Sequence, residues 1–374
     1  MDTQIHKNRT RKVQKQLQNR DIDALILAPG DDQQYLSGST EKQATPRHTF
    51  FIVTPEEAVF FLSSNNENNI RPSTWVSDLV VWDDDTDPLQ ELEPLVKELG
   101  ISDESTVLVN EQMWATFLND LHRLIDAEVG MATELMMEFR MTKDESEVSQ
   151  LEHACNIADG VSEEIRKEEL VGMTEREVSA EIQYRMKNRG ADDESFTTVV
   201  ASGPNSAKPS YSAGSRTIEE GDPVVLDFGA EVGGYKSDQT RTMIAGGAPP
   251  KGFEEAFAVA KNAQREALDA IKPGMIAHEI DDTARSVIEK EGFGDHFLHV
   301  TGHGIGLGIH EPPFLMSGDY LGGGNEHELE QGMVLTVEPG LYFDDWGLRI
   351  EEDILVTKDG CRKLTDSPLS WDIS

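Results

Sequence analysis

Thr301-Gly302-His303-Gly304-Ile305-Gly306-Leu307-Gly308-Ile309-His310-Glu311-Pro312-Pro313 is the stretch from which the rest of the chain is best read. Two histidines stand seven residues apart in a run where glycine recurs at every second position. Glycine weakens the interior of a helix or strand, so such a run fits backbone that passes close to something or adopts unusual dihedrals. Imidazoles on a segment of this kind suit metal ligation or proton transfer near neutral pH. A glycine-rich loop with two incidental histidines is the plain alternative. The segments on either side decide between them.

Upstream, Pro223-Val224-Val225-Leu226-Asp227-Phe228-Gly229-Ala230 leads through Glu231-Val232-Gly233-Gly234 into Tyr235-Lys236-Ser237-Asp238-Gln239-Thr240-Arg241-Thr242. An acid within such an apolar strand is costly to bury unless it is paired or bound to a cation. Asp227 and Asp238 are equidistant from the Val232/Gly233 midpoint. A symmetric hairpin would set them face to face with Cβ atoms about 5 Å apart. Downstream, Glu338 in Val334-Leu335-Thr336-Val337-Glu338-Pro339-Gly340 and Glu351 in Leu348-Arg349-Ile350-Glu351 are equidistant from Asp344/Asp345. Carboxylates placed so repel, and a bound cation removes the penalty. Either hairpin alone also allows each acid to pair with a nearby arginine, Arg241 or Arg349. Two such hairpins with His303 between them in the chain favour the cation.

Four carboxylates and one imidazole make a hard, oxygen-rich set, better suited to a pair of Mn²⁺-like ions than to a structural zinc. Two ions about 3.5–4 Å apart can activate a bridging water and polarise a carbonyl. Cys155 and Cys361 lie away from these motifs, and neither a G-x-S-x-G nor a phosphate-binding loop occurs. Hydrolysis by a metal-activated hydroxide is the reaction class expected.

Composition narrows the partners. The 374 residues carry 70 acids and 33 Lys and Arg, a net charge of −37. A polyanion of this kind is not expected to bind nucleic acid or an anionic membrane. The acids are spread through both halves, in runs such as Asp83-Asp84-Asp85 and Asp192-Asp193-Glu194. A diffuse excess reads as a solvated surface that repels itself until salt screens it, which points to a salt-adapted cytosol. Two cysteines fit a reducing interior. Met1 to Gln18 is polar and rich in Lys and Arg, so no charged-then-apolar leader is expected, and no apolar run approaches the roughly 20 residues that span a bilayer. A cytoplasmic protein is expected.

Residues 1–139 alternate helix and strand, with strands at Ala24-Leu25-Ile26-Leu27, Phe50-Phe51-Ile52-Val53, Ala58-Val59-Phe60-Phe61, Val80-Val81-Trp82 and Val107-Leu108-Val109. This α/β domain holds no chemical constellation, so it is expected to shape a pocket or a dimer contact, and a homodimer is expected. A boundary falls near Arg140, leaving residues 140–374 as the catalytic domain. Thr142-Lys143-Asp144-Glu145 has the form of a capping box, and Thr174-Glu175-Arg176-Glu177 is a second. Gly172-Met173-Thr174-Glu175-Arg176-Glu177-Val178 is echoed by Gly274-Met275-Ile276-Ala277-His278-Glu279-Ile280, each ahead of a hairpin with two acids. The echo suggests two halves around a shared site, or a chance likeness of helix starts.

Taken together, Ala201-Ser202-Gly203-Pro204-Asn205-Ser206-Ala207, the two hairpins and Gly302 to Glu311 resemble the pita-bread metallopeptidases. That superfamily includes methionine aminopeptidase, Xaa-Pro aminopeptidase, Xaa-Pro dipeptidase (prolidase) and creatinase. Tyr35-Leu36-Ser37-Gly38 lies in a domain similar to the creatinase/prolidase N-terminal domain. Methionine aminopeptidases usually lack that domain, and creatinase has lost the dinuclear ligands. The resemblance thus implies an α/β N-terminal domain followed by an α+β pita-bread catalytic domain. It implies an Xaa-Pro dipeptidase or aminopeptidase, hydrolysing Xaa-Pro dipeptides or short Xaa-Pro peptides by a hydroxide bridging two divalent ions, Mn²⁺ before Co²⁺, Fe²⁺ or Zn²⁺. Carried over, it gives Asp227, Asp238, His303, Glu338 and Glu351 as metal ligands, with Glu338 also shuttling a proton to the leaving proline nitrogen. His310 and His299 match the substrate-side histidines, and Arg349 an arginine behind the ligands. The plain reading of His299 is a pocket wall. Where the family usually has a further histidine, after Asn205-Ser206-Ala207-Lys208-Pro209, this chain has Ser210. Activity is then reduced, supported by neighbouring Tyr211, or directed at another substrate. The alternatives carried forward are a creatinase-like hydrolase or lyase of a small molecule and a weakened peptide-binding scaffold.

Overall fold

The computed structural model describes residues 3–316 and 326–372, and the chain divides into two compact units, Met1–Arg140 and Met141–Ser374. In the first, apolar runs form central strands buried on both faces, flanked by strands that are only partly buried. These are β1 (Ala24–Leu27), β2 (Phe50–Val53), β3 (Ala58–Ser63), β4 (Leu79–Trp82), β5 (Thr106–Val109) and β6 (Glu128–Met131). They make one mixed sheet in the order β4-β3-β2-β1-β5-β6, antiparallel at β1/β2 and β2/β3 and parallel elsewhere. Helices α1 (Thr3–Asn19), α2 (Asp31–Ser37), α3 (Ser64–Ile70), α4 (Pro88–Glu98), α5 (Ala115–Leu124) and α6 (Thr133–Arg140) alternate with the strands. Phe50, Phe61, Phe117 and Leu92 lie in its closed core.

The second unit opens with α7 (Glu145–Ile165). Its cap is Asp144, two residues beyond the expected Thr142. The Asp144 carboxylate accepts the Ser146 and Glu147 N–H groups at 2.9 and 3.0 Å, and Glu147 accepts the Asp144 N–H at 3.0 Å. Thr142 is still extended, bridged to Met333, so the helix cannot begin there. The box at Thr174 stands as read and starts α8 (Glu175–Asn188).

Two similar halves follow. In the first, α7 and α8 pack on β8 (Val199–Ser202), β9 (Asp222–Phe228) and β12 (Gln239–Ala245) through Ala158, Ile182, Val224 and Met243. Between β9 and β12 a small ribbon contains β10 (Ala230–Val232) and β11 (Tyr235–Lys236), with β7 (Asp193–Glu194) at its edge. In the second, α9 (Phe253–Ala270) and α10 (Ala277–Lys290) pack on a five-stranded sheet. Its order is β14 (Glu311–Leu315), β13 (Gly302–Gly304), β15 (Val334–Val337), β18 (Glu352–Val356) and β19 (Cys361–Lys363). The ribbon of β16 (Gly340–Tyr342) and β17 (Gly347–Arg349) lies between β15 and β18 in the chain.

The sequence echo has a structural counterpart. Gly172 and Gly274 sit at φ +90° and +89°, and their N–H groups bond Ile218 O and Leu329 O, both at 2.9 Å. Thr174 bridges Thr217, and Ile276 bridges Glu328, each just before its hairpin. A matched turn, helix start and bridge in both halves favours a repeated unit over chance likeness.

The hairpins differ in register. In the second, Val337 faces Glu352 and Gly340 faces Arg349, so Glu338 and Glu351 fall opposite each other where the ladder is interrupted. Pro339 has no N–H to continue the ladder there. In the first, Asp227 faces Thr240, not Asp238. The expected midpoint is off because the turn is Gly233-Gly234, with φ of +58° and +84°. Two successive positive-φ residues form a tight hairpin turn, and they centre it one residue later than Val232/Gly233, which moves the partner of Asp227 from Asp238 to Thr240.

Candidate active site

The interruptions in the two hairpins bring the acids together. Single ligand atoms of Asp238, His303 and Glu351 all lie within 4.8 Å of one another, and all three residues are buried. His303 Nε2 is 3.4 Å from Glu338 Oε1 and 3.8 Å from Asp238 Oδ2. The other ring nitrogen, Nδ1, is 3.0 Å from Gly304 O. A carbonyl can only accept, so Nδ1 carries the proton and Nε2 presents a lone pair to the carboxylates. Asp227 Oδ1, Asp238 Oδ1 and Glu351 Oε1 are buried without a hydrogen-bond partner. Acceptors crowded together with no donor among them are what a bound cation resolves.

The electrostatics agree. Burial, with Glu351 and Asp227 beside it, pushes the Asp238 carboxyl well above the usual carboxylate range. Burial and the neighbouring Glu338 and Asp227 do the same to Glu351. Glu338 rises to about 7, mainly through burial. Burial, with His310 beside it, lowers His303 to about 3, so the ring is a neutral donor of its lone pair. These residues fit divalent cations.

Behind the acids, Arg349 ties the two halves. Its Nη2 donates to Asp227 Oδ2, its Nε to Thr240 Oγ1 at 3.1 Å, and its Nη1 to Tyr342 OH at 2.7 Å and Pro209 O at 3.1 Å. Thr240 Oγ1 in turn donates to Glu351 Oε2 at 2.6 Å. The arginine alternative therefore holds for Asp227 alone among the four acids. Arg241 is spent elsewhere, on Glu352 at 3.0 Å and on the Glu351 carbonyl at 2.5 Å.

All these acids line a cavity of about 840 Å³ with His299, His303, His310, Arg349 and Ser210, walled by Phe196, Val199, Ile309 and Phe314. The histidines are not equivalent. His299 Nδ1 bonds Val300 O at 2.7 Å, and its Nε2 accepts from Tyr342 OH at 2.9 Å. Both nitrogens are engaged, and burial lowers its pKa to about 4. The pocket-wall reading suits this geometry better than a substrate donor. His310 is exposed at the cavity, its ring 4.4 Å from that of His303. Ser210 is exposed on the same cavity. Tyr211 is a poor substitute for a missing imidazole, since its hydroxyl already donates to Glu175 at 2.7 Å and accepts from Asn205 at 2.8 Å.

Sequence reasoning passed over Thr240, Tyr342 and Asp353. Asp353 Oδ2 accepts the Asp238 N–H at 2.8 Å and the Cys155 thiol at 3.3 Å, and burial raises its pKa to about 8. Period-two alternation was the available signal: Thr240 follows Asp238 by two residues, and Asp353 follows Glu351 by two.

Known proteins agree with this assembly. Residues 149–358 match the model of metallopeptidase family M24, and residues 9–142 match the creatinase/prolidase N-terminal domain. An Xaa-Pro dipeptidase of Pyrococcus horikoshii is 33% identical over 369 residues, covering 96% of this chain and 97% of its own. A crystal structure of a recombinant prolidase from Thermococcus sibiricus superposes with TM-score 0.91 at 31% identity, covering 98% of each chain. A dipeptidase structure from Pyrococcus horikoshii gives 0.89 at 35%, covering 96% of this chain and 98% of that one. The second unit thus has the pita-bread fold, and no helix among the described residues is long and apolar enough to cross a membrane. With more than half its length matching the family and its acids gathered as a cation site requires, this chain belongs to metallopeptidase family M24.

Proposed function

We propose that this chain is an Xaa-Pro dipeptidase, hydrolysing dipeptides or short peptides with proline after the scissile bond. The observation that carries the reading is the buried cluster of acceptors, with three orphaned carboxylate oxygens and the lone pair of His303 converging. Relatives of nearly equal length that are named Xaa-Pro dipeptidase and prolidase support the substrate.

In this reading Asp227, Asp238, His303, Glu338 and Glu351 hold two divalent ions, and the oxygen-rich set favours Mn²⁺. When bound, the ions supply Lewis acidity, lowering the pKa of water and polarising the scissile carbonyl. Glu338 takes a proton from the attacking water and returns it to the proline nitrogen as the C–N bond breaks. His310 reaches the substrate from the open side of the cavity. Arg349 fixes Asp227 and, through Tyr342, the ring of His299. The catalytic domain is taken as residues 140–374, after an N-terminal domain of residues 1–139.

A homodimer in a salt-adapted cytosol completes the proposal. The charge of −37 supports the salt adaptation, and an unfolding midpoint that does not rise in molar salt would count against it. The central experiment combines elemental analysis with turnover of Xaa-Pro dipeptides by the purified, metal-loaded chain. About two ions and turnover are expected. A chain that binds ions but cleaves none of these dipeptides would move the creatinase-like small-molecule reading ahead. A chain that binds none would leave the scaffold.

A further inference from the structure

The loop that carries His310 rests on a buried ion pair outside the acid cluster. Lys143 Nζ and Glu311 Oε2 are 3.2 Å apart, with side chains 1% and 7% exposed. Burying two charges is costly unless their remaining bonding capacity is met. Here Lys143 Nζ also donates to Met141 O at 3.2 Å, and Glu311 Oε1 accepts the Gly308 N–H at 2.7 Å. Lys143 is itself anchored, its N–H donating to Gly332 O at 2.9 Å.

The loop is pinned at successive residues. The Gly306 N–H bonds Gly308 O at 3.1 Å, the Lys236 N–H bonds Gly306 O at 2.9 Å, and Lys236 Nζ donates to Leu307 O. Gly306 makes room for the pair: a Cβ there would stand 2.8 Å from Glu311 Oε2 and 3.0 Å from Lys143 Cε. The glycine thus reports a close approach, not a flexible loop.

His310 lies between the two points that Glu311 fixes, the Gly308 N–H and its own backbone. Neither Lys143 nor Glu311 is among the residues lining the cavity. We propose that Lys143 and Glu311 are positioning residues, a buried ionic strut that sets the His310 ring against His303 at the mouth of the cavity. The inference rests on the role given to His310 in the proposed function. An apolar pair of similar volume would fill the space as well, but would not direct the Gly308 N–H. Displacing a reacting group by about 1 Å can cost on the order of 10²-fold in rate.

A double-mutant cycle with His310 tests this on the metal-loaded full chain. Lys143→Met is expected to lower kcat for an Xaa-Pro dipeptide by about 10²-fold, with KM and ion content nearly unchanged. In a His310→Ala background the same substitution should cost nothing further. Equal losses in both backgrounds would overturn the proposal, because a merely structural strut would act without regard to His310. Should Lys143→Met fold poorly, Lys143→Met with Glu311→Gln removes both charges and enters the same cycle with the same two outcomes. If the wild type turns over no Xaa-Pro dipeptide, the functional reading fails by itself. The strut is then decided by the His310 imidazole resonance in the Zn²⁺-loaded chain, assigned by its loss in His310→Ala. A shift of that resonance in Lys143→Met supports the strut, and an unmoved one overturns it.

Discussion

The two halves of the second unit contribute unequally to one site. Each offers a hairpin with an acid within one residue of its first strand's end and glycine two residues on: Asp227-Phe228-Gly229 and Glu338-Pro339-Gly340. Opposite Glu338 stands a second carboxylate, Glu351; opposite Asp227 stands the hydroxyl of Thr240. The missing acid of the first half is supplied by Asp238, just outside the ladder. Thr240 meanwhile donates to Glu351 and accepts from Arg349. All three cavity histidines, His299, His303 and His310, come from the second half. The repeat therefore supplies the frame, and departures from it supply the chemistry. A fourth facing carboxylate in strict symmetry would have left the centre without this internal donor.

The sharpest way to break the comparison is to remove the acid that departs from it. Asp238→Asn is expected to release about one ion per chain. Its loss of activity should exceed the roughly 10–100-fold typical of losing an outer partner of a metal ligand. Thr240→Val, which removes only the hydroxyl between Arg349 and Glu351, should fall within that lower range. Elemental analysis and kcat/KM on the two variants decide it. Equal effects would mean that Asp238 is no more than a support for Glu351.

The paired glycines give a smaller effect. A Cβ on Gly229 would stand 1.7 Å from the Ser237 carbonyl oxygen, which is backbone. At Gly340 it would meet side-chain atoms, Tyr342 OH at 2.5 Å and His299 Nε2 at 2.9 Å. Gly229→Ala should therefore lower the unfolding midpoint by several degrees, since overpacking costs about 1–3 kcal/mol and backbone cannot rotate aside. Gly340→Ala should shift the midpoint less and act more on turnover, through Tyr342 and His299. Matching midpoints would show that the first hairpin is not closed by backbone contact.

Asp227, Glu338 and Glu351 were legible as candidate ligands because each is a carboxylate beside an apolar strand run, whereas Asp238, in Lys236-Ser237-Asp238-Gln239-Thr240, was reached by its distance from the turn. The second hairpin could also be paired by counting, since its register is symmetric about Asp344/Asp345. Counting failed in the first because Gly233 and Gly234 both take positive φ, and symmetry of the acids does not reveal which residues turn. Thr240, Tyr342 and Asp353 were hidden for a different reason. Threonine and tyrosine in strands are ordinary β-formers, so their type does not mark Thr240 and Tyr342 as donors, and for Thr240 and Asp353 only the two-residue spacing from Asp238 and Glu351 pointed to the site. Lys143 was read as part of a helix cap, and only the tertiary fold brings it to Glu311, 168 residues away.

Ser210 gives the mildest test of the division between halves, and it concerns the half that puts no imidazole on the cavity. The residue is exposed on the cavity, and the preceding carbonyl, Pro209 O, is held by Arg349 at 3.1 Å, so the backbone there is fixed relative to the acids. A side chain placed on it would be presented, not left to wander. Tyr211 cannot stand in, because its hydroxyl is bound to Glu175 and Asn205. Ser210→His should raise kcat/KM for an Xaa-Pro dipeptide. A single donor acting chiefly in the transition state is worth up to about 10² in rate. Ion content should not change, since the position lies outside the five acceptors, and the unfolding midpoint should hardly move for an exposed substitution. His310→Ala should lower activity in both backgrounds, because its imidazole comes from the other half. A folded, ion-loaded Ser210→His chain that gains nothing would mean that this lip of the cavity has been reshaped for a different substrate. The first half would then differ from the second in what it binds, and not only in what it lacks.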